Sequence, residues 1–346
     1  MVVPDSTTNR FNPEEAMRHT LSIVLVASAL LGGCSYFAVQ SAPAKTASTV
    51  RTEAATKADE FFWATLHAGR YERIPELLTA LTAAYLDDPS DATTAAHIGF
   101  VHSWGLAERA RASSNAPTVV DHAVLARKYF TESYRLKPDP RVLGFIGGVT
   151  VAEGSVHKDE KLMRQGYYTL LDSIEAWPEF NYFTAGYGAS RLPAASERFR
   201  EALEFQWLNL DVCVGEKVDR QNPDFAKYMR LATTDGVKRV CWNNWIAPHN
   251  FEGFFLNMGD MLVKAGDWQL AQKIYANASL SPDYPRWPYR TVLEQRIERA
   301  RENVAAFNVQ PQRGVRPENP IMVNSNFACV GCHQQAGTSE LGRLTN

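Results

Sequence analysis

From Thr56 to Asn308 apolar side chains return at intervals of three and four residues, with few strand-like alternations. A chain patterned this way folds as a succession of helices, each needing a neighbour to cover its apolar face. The clearest unit runs from Phe255 to Pro282. Phe255, Met258 and Gly259 fit one helix, Gly266 and Trp268 a turn, and Ala271, Tyr275 and Ala278 the packed face of a second. The small Gly259 lets the second helix approach closely. A looser copy places Ile98, Gly99 and His102 on a first helix and Ala126, Phe130 and Pro138 on a second, with a Ser/Asn/Pro-rich loop near 112–118 between them. Two more hairpins are expected, from Phe61 to Tyr85 closing at Pro89 and from Arg141 to Trp177 closing at Pro178. The predicted fold class is all-α, a stack of helical hairpins.

The Phe255–Pro282 unit resembles a tetratricopeptide repeat, a helix-turn-helix of about 34 residues. The resemblance implies a solenoid whose groove could receive a peptide or protein. Between Asn181 and Asn250 the regularity is expected to break, with a helix from about Ala195 to Leu210 and a short one near Asp224 to Leu231. Phe61-Phe62-Trp63 and the segment Trp242 to Trp245 read as core or inter-repeat packing. Arg296 to Arg301 reads as a solvated helix face.

Near the N-terminus, Leu21 to Leu31 is an uncharged apolar run of 11 residues. A membrane-spanning helix needs about 20. The run has the length of a signal-peptide core, with Arg18 and His19 as its basic flank and Met17 as a possible start. It ends in Leu31-Gly32-Gly33-Cys34, which resembles a bacterial lipobox. That resemblance implies lipidation at Cys34, removal of residues 1–33 and an extracytoplasmic protein anchored to a membrane. The bland reading is an uncleaved anchor or a buried helix with an incidental cysteine. Ser35 after the cysteine slightly favours the outer membrane over retention at the inner one. Residues 34–56 are rich in Ala, Ser and Thr and read as a tether, followed by the helical domain over 57–308.

In an oxidising compartment Cys213 and Cys241 are expected to pair and staple the irregular insert, with two free buried cysteines as the alternative. A bond closing a loop of that size contributes about 3 kcal/mol.

After Asn308 the chain turns Pro-rich, and 309–346 reads as a linker and an extended tail. The tail holds Cys329-Val330-Gly331-Cys332-His333. C-x-x-C-H is the attachment signature of c-type haem: two thiols add to the two vinyl groups, and the adjacent histidine lies beneath the iron. The resemblance to c-type cytochromes covers this motif alone. It implies one covalent haem c held by Cys329 and Cys332 with His333 as proximal ligand. A surface disulfide or a zinc site competes, although no second ligand pair of similar spacing stands in the sequence. Thirteen residues follow His333, and none is Met or His. A distal ligand therefore comes from elsewhere, with His249 and Met322 as candidates, or the iron is five-coordinate; His97 and His102, five apart on one helix, do not share a face well.

The formal net charge of −2, without a run of Lys or Arg, gives no case for nucleic-acid binding. No hydrolase triad or phosphate-cradling motif appears. Three functions stay open: an electron carrier serving a redox partner protein or peptide, a helical scaffold lipoprotein, and a haem enzyme or gas sensor with an open iron. No catalytic residue is assigned, and the carrier and scaffold readings make the chain a non-enzyme.

Overall fold

The computed structural model describes residues 36–111, 118–309, 320–324 and 329–335. The chain divides into two units, Met1–Thr46 and Ala47–Asn346. In the first, residues 36–40 are helical; Cys34, the expected lipid acceptor, lies outside the described residues.

The second unit is all-α: among the described residues it holds helices and no strand. The expected hairpins are present. Helices α1 (Glu53–His67) and α2 (Ile74–Asp87) form the first, and α3 (Ala92–Ala107) and α4 (Thr118–Leu136) the second. Then come α5 (Pro140–His157) with α6 (Glu160–Ala176), and α7 (Pro178–Gly188) with α8 (Glu197–Val214). After an irregular stretch, α9 (Asn250–Ala265) pairs with α10 (Trp268–Ala276), and α11 (Arg290–Glu298) and α12 (Ala300–Asn308) follow. The starts are written locally. Thr52, Asp91, Asp139, Asp159 and Ser196 each accept a backbone N–H of the helix they precede, a contribution of about 1 kcal/mol apiece. Gly266, at φ 98°, ends α9 in the left-handed conformation and turns the chain into α10.

The hairpins close as their small residues demand. A Cβ on Gly259 would stand 2.2 Å from the Tyr275 ring, and one on Gly99 2.6 Å from the Phe130 ring. The core runs as a large cluster around α8–α12 and smaller ones around α1–α3 and α3–α5.

Two expectations are corrected. The irregular insert is shorter than Asn181–Asn250, because α7 and α8 form a regular hairpin; it begins after Val214. Arg296 is not on a solvated face: it is 2% exposed, with its Nε 3.0 Å from Asp260 Oδ1. The Asp260 carboxylate also accepts the Tyr275 hydroxyl at 2.6 Å and the Met322 N–H at 2.9 Å. Burial raises the Asp260 carboxyl even with Arg296 beside it. Arg296 Nη2 donates to the Pro320 carbonyl at 2.8 Å, so this network fastens segment 320–324 to α9.

Candidate functional site

The C-x-x-C-H residues form a five-residue helix, α13 (Cys329–His333), seated on the N-terminal half of α9. Gly253 makes the seat. A Cβ there would lie 2.5 Å from Cys332 Sγ and 2.8 Å from the Gly331 carbonyl oxygen. Hydrogen bonds to distant parts of the chain hold the segment. The His249 N–H donates to the Cys332 carbonyl at 3.0 Å, and the Trp287 indole N–H to the Gly331 carbonyl at 2.9 Å. The Tyr289 hydroxyl donates to Gln334 Oε1 at 2.8 Å, and the Gln335 N–H to the His67 carbonyl at 2.8 Å. Val330 and Cys332 are buried. The described part of the tail is thus docked between the end of α1 and the start of α9, rather than extended.

His333 points one ring nitrogen at protein: Nδ1 is 2.7 Å from the Ile246 carbonyl oxygen. A carbonyl only accepts, so Nδ1 carries the hydrogen and Nε2 keeps its lone pair. His67 reaches the same oxygen with Nε2 at 3.3 Å. Burial lowers His333 to about 4 against the pull of that carbonyl, and His67 adds to the depression. Around them stand Trp63 and Trp245, ring centroids 4.8 Å apart, each 5.5 Å from His67. Trp245 is 63% exposed, which departs from the packing role read for the Trp242–Trp245 segment. Trp242 keeps that role, stacked on Phe251 at 5.6 Å.

The thiols differ. Cys329 is half-buried, whereas Cys332 is enclosed, and burial pushes its thiol up, with Cys329 and Glu252 adding to the shift. Glu252 is fully buried. Its Oε1 accepts the Ser281 hydroxyl at 2.7 Å and faces His249 Nδ1 at 3.3 Å, while Oε2 has no hydrogen-bond partner. Asn257, also fully buried, makes no side-chain hydrogen bond of ordinary geometry, although the Tyr187 phenol lies alongside. A cavity of about 410 Å³ opens next to the motif, with His249, Gln335 and Trp245 in its wall.

Cys213 and Cys241 are joined in a disulfide, Cα–Cα 5.8 Å, which ties the end of α8 to the segment that carries Ile246. Of the candidate distal residues, His249 adjoins the motif. Met322 does not: its side chain is buried in the core, and its N–H is bound at Asp260, about 10 Å along α9 from Gly253 at 1.5 Å per residue. Its φ of 58° is a left-handed conformation held by that bond. Sequence reasoning missed His67. Its only local mark is a place in the last turn of α1, and its approach to His333 runs through Ile246, 179 residues away in the chain.

Among the described residues no three His, Cys, Asp or Glu side chains converge as a metal cage, and no helix is long and apolar enough to cross a membrane. No family model, curated protein or solved structure matches the chain.

Proposed function

We propose that the chain is an extracytoplasmic, lipid-anchored monohaem c-type cytochrome that exchanges electrons with a protein partner. The observation that carries the reading is the Nδ1–H of His333 on the Ile246 carbonyl, 2.7 Å away. A ligating histidine needs its second nitrogen fixed in this way, because the bond selects the tautomer and orients the ring. The donor set fits the group: two cysteines outside the disulfide, with two residues between them, and an imidazole whose Nδ1 is the nitrogen bound to protein. The orphaned Glu252 Oε2 and the Asn257 amide mark a polar environment left incomplete by the protein alone.

A haem bound there supplies a one-electron iron couple, tuned by ligands, burial and hydrogen bonds. Cys329 and Cys332 would hold it covalently, and His333 would ligate the iron. Of His249 and Met322, His249 is nearer the motif and would be the better placed to serve as a second ligand, with Glu252 Oε1 facing its Nδ1 as an orienting carboxylate. Cys332 is buried against Gly253, so the tail would have to lift from α9 for its thiol to reach a haem vinyl group. Anchoring at Cys34 keeps the protein at the membrane, with the stacked hairpins as its docking body. A second reading, a haem enzyme or gas sensor, is favoured by the cavity of about 410 Å³ at His249, which offers room for a small ligand.

The test is a denaturing gel stained for haem, on protein expressed with c-type maturation machinery, beside Cys329→Ala/Cys332→Ala. A stained band lost in the variant supports the cytochrome. Absence of stain sinks it and leaves a helical scaffold lipoprotein. A carbon monoxide-induced spectral shift in stained protein favours the open-iron reading over the carrier.

A further inference from the structure

Three cations gather near helix C-termini, with Glu108 as the acid beside Arg191. Arg109 lies just past α3, Arg191 just past α7, and Lys264 in the last turn of α9. Lys264 is 5% exposed; its Nζ donates to the Ser190 carbonyl at 2.9 Å and lies 5.4 Å from the Phe199 ring centroid. Arg109 Nη1 donates to the Leu106 carbonyl at 2.8 Å. The buried Nε of Arg191 has no hydrogen-bond partner, and none of the three forms an ion pair among the described residues. Beside them the Ser190 hydroxyl, on a residue 1% exposed, is also without a partner.

The chain treats its other inward-turned arginines differently. Arg296 meets Asp260 at 3.0 Å, Arg127 meets Glu153 at 2.5 Å and Arg220 meets Asp211 at 2.7 Å. A helix C-terminus attracts cations, but that attraction fades within a turn and leaves their hydrogen-bonding capacity unmet. The crowding is felt. Burial, then Arg109, brings Arg191 down to about 10; burial, then Arg191, brings Lys264 to about 8. Glu108, itself buried, is the acid alongside Arg191, and one of its oxygens, Oε1, accepts the Trp104 indole N–H at 3.3 Å.

We propose that Ser190, Arg191, Lys264 and Arg109 form a binding site for a small oxyanion of the phosphate class. The Ser190 hydroxyl and the Arg191 guanidinium donate to its oxygens, and Lys264 and Arg109 balance its charge. Three cations and a hydroxyl suit a doubly charged anion with several acceptor oxygens better than a lone carboxylate. The recess of Ser190 and Lys264 selects a free ion over a headgroup held in a bilayer. The site does not depend on the haem reading.

The experiment is calorimetric titration of the full chain with inorganic phosphate at fixed ionic strength, against chloride. One saturable site is expected, weakened roughly tenfold or more in Arg191→Met and in Lys264→Met, with helicity unchanged by circular dichroism. Ser190→Ala, the smallest change, loses several-fold affinity and serves if either charge variant fails to fold. Heats of dilution alone up to tens of millimolar phosphate, or unchanged affinity in the variants, overturn the site. Binding to phosphatidylglycerol vesicles without binding of free phosphate overturns the free-anion assignment.

Discussion

Replacing Gly253 with alanine tests whether α13 is seated as described. In a helix the substitution alone gains about 1 kcal/mol from propensity. Here the new methyl would stand 2.5 Å from Cys332 Sγ, and 2.8 and 2.9 Å from the Gly331 carbonyl oxygen and carbon. Two of those three atoms are backbone, so rotating a side chain does not relieve the contact. Complete undocking would lose the hydrogen bonds of the segment, that of His333 to Ile246 among them, roughly 1 kcal/mol each, and the burial of Val330, about 2 kcal/mol. Overpacking costs less than that, typically about 1–3 kcal/mol. The helix should therefore shift in place rather than leave. Set against the propensity gain, the net expectation is a loss of up to about 2 kcal/mol in urea unfolding, with faster hydrogen exchange at the His249 and Gln335 amides. Gly188→Ala is the control, at an exposed helix end with nothing within 4 Å, and should be neutral or gain up to about 1 kcal/mol. If Gly253→Ala behaves like the control and the two amides keep their protection, the seating of α13 on α9 is refuted.

Removing the disulfide with Cys213→Ser/Cys241→Ser should cost about 3–4 kcal/mol by the chain-entropy argument for a separation of 28 residues; denaturant midpoints with and without reductant measure it, and wild type insensitive to reductant speaks against the staple. Acid should weaken the fold through His102, whose Nδ1 lies 2.9 Å from His122 Nδ1. Burial, with His122 beside it, holds His102 at about 4 instead of 6.5, so the folded state favours the neutral ring. That contribution is complete above pH 6.5 and drains away as pH falls toward 4, by up to about 3 kcal/mol. Urea unfolding at the two ends of that window should differ less in His102→Gln than in wild type, and equal slopes would count against the pair.

The hairpins were legible because helix periodicity and small residues are local signals: Gly259 facing Tyr275 and Gly99 facing Phe130 could be read from spacing. The motif was legible for the same reason. What escaped depended on partners far along the chain. Arg296 sits in a charged run that reads as solvated, yet Asp260, 36 residues earlier, draws it inward. Segment 181–214 looked irregular because α7 is short and rich in Gly, Asn and aromatics, while its cover is supplied by α8. Trp245 carries the same local signal as Trp242, but only Trp242 has Phe251 to stack on.

The orientation of His333 is a property of the whole second unit rather than of the tail. The tail contributes five helical residues and two glutamines. Their partners come from the end of α1 through the His67 carbonyl, from the insert through Ile246, from the start of α9 through His249 and Gly253, and from the segment before α11 through Trp287 and Tyr289. The insert is itself tethered to α8 by Cys213–Cys241. Loosening any of these reaches the imidazole, because the Nδ1 bond that sets its tautomer ends on Ile246, only five residues from Cys241. A short motif can be held in a defined geometry on this body, since hairpins stacked for their own apolar faces bring these distant carbonyls and donors to one place.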